Sequence, residues 1–205
     1  MADESLAALR RLAPTREPDE RCDLCGAAIP DEHRHVFDLQ TRDVACACRA
    51  CSLLFEGQAS ARHRLVPNRV LSLAGFQLAD EEWDELQIPV NLAFFVRSSA
   101  AERVQALYPS PAGPTESALS LDAWRDLEAA NPVLRTLEPD VEALLVNRVG
   151  DARDHLVTGV DECYRLVGLV RGGWRGLSGG SEVWKTIAAF FDGLRARATV
   201  VDHGG

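Results

Sequence analysis

The sequence predicts an α+β protein: an N-terminal zinc-ribbon/rubredoxin-like module fused to a mainly antiparallel sheet covered by C-terminal helices. Three observations predict it. Two C-x-x-C pairs fall in the first quarter of the chain, the middle carries β-like apolar runs divided by Pro- and Gly-marked connections, and the last third places apolar residues at helical spacing. The 205 residues are 46% hydrophobic and 26% charged, enough to bury a core that does not depend on an ion for all its stability. The expected division is an N-terminal arm at 1–18, a four-cysteine module at 19–57 and an α+β domain at 58–205 ending in a helical pair.

Taken in order, Leu6, Leu9 and Leu12 give the arm a short amphipathic turn or two, broken by Pro14 and Pro18. From Arg21 the pattern becomes turn, strand, turn, strand. The knuckle Cys22-Asp-Leu-Cys25-Gly26 leads past Pro30 to a strand at 35–39, a polar Gln-Thr-Arg-Asp turn, and a strand at 44–48. A second knuckle follows, and Ser52-Leu-Leu-Phe55 is expected to leave it as a strand. Gly26 suits a knuckle whose backbone turns to positive φ past the second cysteine, whereas Ser52 holds the equivalent place in the second knuckle.

Beyond residue 61 the β-like runs are 64–78 (broken near Gly75), 90–96, 104–108 and 141–149. A helix over 122–130 closes at Asn131-Pro132. Cys163, Leu166, Val167 and Val170 follow an Asp161 cap at i, i+3, i+4, i+7. Val183, Trp184, Ile187, Phe190, Phe191 and Leu194 do so after a Ser181 cap, so each helix has one apolar face to pack on a sheet.

Cys22/Cys25 and Cys48/Cys51, with 22 residues between the pairs, describe a tetrahedral metal site. Two residues between paired cysteines let one tight turn aim both sulfurs at a single point, and a hairpin brings the two turns together. Zinc and iron both accept four thiolates; the loop length and the missing glycine after Cys51 favour zinc, with iron as the alternative. Cys46 shares a strand face with Cys48 and reads as a small thiol beside the ion. His33, His35 and His63 lie near enough to replace a cysteine or to orient the site from outside it, but four thiolates already complete the shell. Hairpin surroundings argue against a thioredoxin-like dithiol at Cys22 and Cys25, and Cys163 falls on a helix's apolar stripe.

The net charge of −9 and pI near 5.0 argue against a nucleic-acid partner; residues 1–66 hold nine Arg against eleven Asp and Glu. No run resembles a signal peptide or a membrane span, so a cytoplasmic location is expected, where closely spaced cysteines serve as ligands rather than disulfides. Gly176-Leu-Ser178-Gly-Gly180 matches G-x-S-x-G, with Asp192 and His203 following in hydrolase order. A nucleophile elbow needs a buried strand before the serine, and here a helix precedes it, so no catalytic residue is assigned. The glycine-rich loop reads as a helix connection, with Trp174 and Arg175 as a candidate partner contact.

The run from Arg21 to Phe55, with Asp161-Glu-Cys-Tyr-Arg-Leu-Val-Gly-Leu-Val170 and Trp174-Arg-Gly-Leu-Ser-Gly-Gly180, resembles an uncharacterised bacterial, mainly actinobacterial, family of similar length, often encoded beside [NiFe]-hydrogenase genes. The resemblance implies an accessory role in hydrogenase assembly, maturation or electron transfer. The expectation is therefore a zinc-binding, non-enzymatic accessory protein that docks onto a hydrogenase subunit or maturation factor. A rubredoxin-like iron electron carrier and an enzyme using a pocket of the C-terminal domain are the alternatives.

Overall fold

The computed structural model describes residues 20–57, 62–176 and 179–202. The arm and its leucine repeat, Ser178 and His203 lie outside them. Two sheets organise the rest. The smaller is antiparallel in the order β2-β1-β3, formed by β1 (Arg34–Asp38), β2 (Val44–Ala47) and β3 (His63–Leu65). The polar turn between β1 and β2 is set by Asp38, whose Oδ1 accepts the backbone N–H of Gln40 at 2.8 Å and of Thr41 at 3.3 Å.

The larger sheet contains β4 (Val70–Ala74), β5 (Leu92–Ser98), β6 (Arg103–Ser110), β7 (Gly113–Ser117), β8 (Glu142–Asn147), β9 (Asp154–Gly159) and β10 (Thr199–Asp202). Their order is β10-β4-β9-β8-β5-β6-β7, and every pairing is antiparallel except β10 with β4. Helices α2 (Asp80–Glu85), α3 (Leu121–Ala130), α4 (Val160–Gly173) and α5 (Gly180–Arg197) complete this body; α1 (Arg49–Ser52) belongs to the cysteine region.

Both faces of the large sheet are covered. Period-2 alternation sends Leu92, Phe94, Val96 and Leu145 toward α4 and α5, where they meet Leu166, Val167, Phe191 and Leu194. The intervening Ala93, Phe95, Leu144 and Val146 face the opposite way, toward Trp83 of α2 and Trp124 of α3. Phe95 lies between those indoles, stacked on Trp124 at 5.2 Å and edge-on to Trp83 at 6.3 Å. Strands buried on both faces lose the polar half of their alternation, which explains the continuous apolar run at 92–96. The sheet is thus covered by the C-terminal helices as expected, and on its other face by a layer that includes the expected helix at 122–130.

Three local expectations are corrected. Residues 52–55 form no strand: Cys48 caps α1, its sulfur accepting the N–H of Cys51 at 3.4 Å, and a 3₁₀ turn at Leu53–Phe55 continues the winding. The cap of α4 is Gly159, not Asp161, because β9 runs directly into the helix. A Cβ at Gly159 would lie 2.4 Å from Asp161 Oδ1 and 2.6 Å from Val66 Cγ1, so only glycine fits that junction. Similarly, α5 is entered through Gly179 at φ 83°, leaving Ser181 inside the first turn.

The small sheet is fastened to the body by polar ties. Arg42 donates to Gln105 Oε1 at 3.1 Å, and Arg64, buried, donates to the Pro139 carbonyl at 2.7 Å and pairs with Glu138. Phe37 reaches the α4 side of the core, its ring 5.7 Å from that of Tyr164. Among the described residues no helix is long and apolar enough to cross a membrane.

Candidate metal centre

The two knuckles form for different local reasons. In the first, Gly26 N–H donates to the Cys22 carbonyl at 2.8 Å, a closure made possible by Gly26 at φ 73°. Asp23 then fixes the turn on β2: its backbone N–H donates to the Cys46 carbonyl at 2.9 Å and its carboxylate accepts the Cys46 N–H at 2.6 Å. In the second, the extended backbone of Cys48 turns into α1, and one turn of helix lifts Cys51 to the same side.

The result is convergence. The sulfurs of Cys22, Cys25, Cys48 and Cys51 all lie within 4.8 Å of one another, and Cys25 and Cys48 are 3.7 Å apart. A tetrahedron with metal–sulfur bonds of about 2.3 Å has edges of about 3.8 Å, so the donor set fits a tetrahedral ion, and all six cysteines are free thiols. Cys22 is buried, Cys25 exposed, and the other two are between.

Proton affinities in the set are unequal. The backbone N–H of Cys48 points at the Cys22 sulfur and lowers its pKa to about 6, against the opposing effect of burial, with the N–H groups of Leu24 and Cys25 helping. Cys51 is pushed up to about 12, because its proton is shared with the sulfurs of Cys25 and Cys48 and burial disfavours its charge. One thiolate forms readily and the last is held back by its neighbours, the condition a dication relieves when it replaces the protons.

The other sequence candidates separate around this centre. His63 faces Asp38 at 3.3 Å, a carboxylate already held by Arg62 and thereby kept well below its ordinary pKa. Cys163 is fully buried in the body's core, and desolvation raises its thiol far above the usual range. Trp174 is half-buried against Trp184 and donates to the Gly176 carbonyl at 2.9 Å, and Arg175 turns back onto the Gly172 and Trp174 carbonyls. His33, His35 and Cys46 form a group of their own, with ligand atoms within 4.8 Å of one another.

Two residues of this region carry no sequence signal of their role. Asp23 reads as a spacer in its knuckle, and Asp161, whose Oδ2 lies 2.7 Å from His35 Nδ1, is 126 positions away in the chain. The H-x-H alternation at 33–35 is the visible clue, since residues two apart on an extended chain share a face.

Comparison with protein-family models matches residues 21–198 to a family of unknown function, DUF5947. Comparison with curated proteins and with solved structures gave no match. The chain belongs to the DUF5947 family, and the matched span covers both the cysteine region and the body.

Proposed function

We propose that this member of the family is a non-enzymatic accessory protein whose zinc, held by Cys22, Cys25, Cys48 and Cys51, stiffens a docking surface for a larger complex. The observation that carries the reading is the closure of four sulfurs around one point. A shell of four protein ligands leaves no position for substrate, so the ion's work is structural.

What the ion holds in place is apolar. Leu24 sits between the cysteines of the first knuckle, and Leu53 and Leu54 directly follow the second, 55% and 65% exposed. Large side chains left in water beside a rigid centre suit a partner interface. Trp174 and Arg175 supply a second contact candidate on the body. The partner class we assign, a [NiFe]-hydrogenase subunit or maturation factor in the cytoplasm, rests on the gene-neighbourhood resemblance alone.

The exposed position of Cys25 supports one rival, a rubredoxin-like iron carrier, because a ligand residue at the surface shortens the path for an electron. Metal analysis and visible absorption of the protein as purified from its host separate the two. Zinc leaves it colourless, and an oxidised iron–thiolate centre absorbs strongly. For docking, tagged wild-type protein from hydrogenase-expressing cells is expected to retain hydrogenase subunits or maturation factors. L53D/L54D is expected to lose them while keeping its metal. Recovery of the wild-type chain alone under those conditions would remove the docking assignment and leave the metal site standing.

A further inference from the structure

We infer that the same small sheet carries a second metal site, a three-ligand centre of His33, His35 and Cys46 with one coordination position open. It lies outside the four-thiolate shell and shares no ligand with it. Its geometry follows from strand register: His35 stands directly across from Cys46 in the pairing of β1 with β2, and His33, two residues before His35, lies on the same face. The three ligand atoms fall within 4.8 Å of one another.

The hydrogen bonding at each imidazole orients it for a metal. His35 Nδ1 is 2.7 Å from Asp161 Oδ2, so the ring donates its Nδ1 proton to the carboxylate and presents the Nε2 lone pair. His33 Nδ1 lies 3.0 Å from the Pro30 carbonyl and 3.4 Å from Glu20 Oε2, which sets the same tautomer. The independent observation is what this leaves behind. Among the described residues His33 Nε2 is fully buried without a hydrogen-bond partner, on a side chain only 7% exposed, although buried polar atoms are ordinarily paired. A cation in the cluster satisfies it.

The surroundings fit that charge. Three carboxylates stand around the cluster, Asp161 on His35 Nδ1, Glu20 at 3.4 Å from His33 Nδ1 and Asp23 accepting the Cys46 N–H at 2.6 Å, and their negative charge attracts a dication. Two imidazoles and one thiolate are the donors of a borderline ion such as zinc. Three protein donors leave the fourth position of a tetrahedral ion to water or a small exogenous donor, and His33 and His35 also border a cavity of about 720 Å³. Gly159 holds Asp161 in position by leaving room for its carboxylate, which makes Asp161 a positioning residue for His35.

The test uses the full chain, stripped of metal under reducing conditions and titrated with Co²⁺ and then Zn²⁺. Wild type is expected to bind two equivalents. C46S and H33A are each expected to bind one and to keep the cobalt spectrum of the four-thiolate shell; C22S/C25S is expected to lose that spectrum and keep the other ion. D161N is expected to weaken the second equivalent about 10- to 100-fold while leaving the first unchanged. Wild-type protein alone also decides the matter, independent of how any variant folds. X-ray absorption of the zinc-loaded chain should average about 2.5 sulfurs per zinc, against four for one site, and azide should perturb only the second cobalt band set. A single equivalent in wild type, a sulfur-only shell, or two equivalents retained by C46S would each overturn the site.

Discussion

The cysteine region and the seven-stranded body solve the same problem, holding a chain in one conformation, by different means. The body does it with apolar area: two clusters, one on each face of the sheet, include fully buried Phe94, Phe95, Leu144, Leu145 and Phe191. Among the described residues the small sheet has no cluster of its own and contributes Phe37 to the body's, with Leu39 and Val44 at the edge. What it has instead is sulfur, imidazole and a set of ion pairs. A short hairpin buries too little surface to offset its conformational entropy, and four converging sulfurs that could hold a metal ion offer such a module another source of rigidity.

Breaking the module is therefore expected to have the largest effect and the most local one. Cys48→Ala removes a sulfur of the candidate shell and the cap of α1 together, and structural zinc in comparable shells contributes about 10–16 kcal/mol of apparent affinity. Hydrogen exchange should show protection lost over 20–57 and retained in β5, β8 and β9; uniform loss across the chain would mean that the body depends on the ion. The reciprocal experiment is Phe95→Ala, which empties the space between Trp83 and Trp124. It should cost about 3–5 kcal/mol in denaturant unfolding while metal content stays at the wild-type value.

The junction between the regions is more modestly breakable. Gly159→Ala forces a Cβ against Asp161 and Val66, with an expected loss of about 1–3 kcal/mol, and should disturb His35 without changing the four-thiolate spectrum.

The smallest expected effect is the body's response to acid, through His155. Its ring stacks on Phe76 at 4.6 Å with Nε2 buried and unpartnered; burial first, and then the Arg148 charge, lower its pKa to about 4. The unfolded chain takes up a proton near pH 6.5, which the folded chain refuses until about 4. Stability from this group is thus fully present above 6.5 and declines as pH falls between those values. His155→Phe should flatten that window in pH-dependent unfolding, and an unchanged slope would show that another group carries it.

The same contrast decides how much could be read in advance. The strands near 35–38, 44–47, 92–98 and 142–147 and the helices at 121–130, 160–173 and 180–197 were legible because each carries its own periodicity or breaker. Helix α2 offered only Trp83 and Leu86 as an apolar pair among acidic residues, and β10 sits at an edge with three of its four residues exposed. Neither has a local pattern strong enough to declare itself. Residues 52–55 failed for the opposite reason: Leu-Leu-Phe is apolar enough for a strand, but the N–H to sulfur bond at Cys48 had already begun a helix.

By itself, the sequence determined the two sulfur pairs, because C-x-x-C spacing is a property of one tight turn, and the hairpin of β1 and β2 then brings the pairs together. It also determined the sheet-and-helix character of the body, since a period of 2.0 or 3.6 is written into consecutive residues. Only the tertiary structure decided the strand order, the second covered face, and the meeting of His33, His35, Cys46 and Asp161. Those contacts join residues up to 126 positions apart, and their geometry is set by register and packing between elements, which no local pattern encodes.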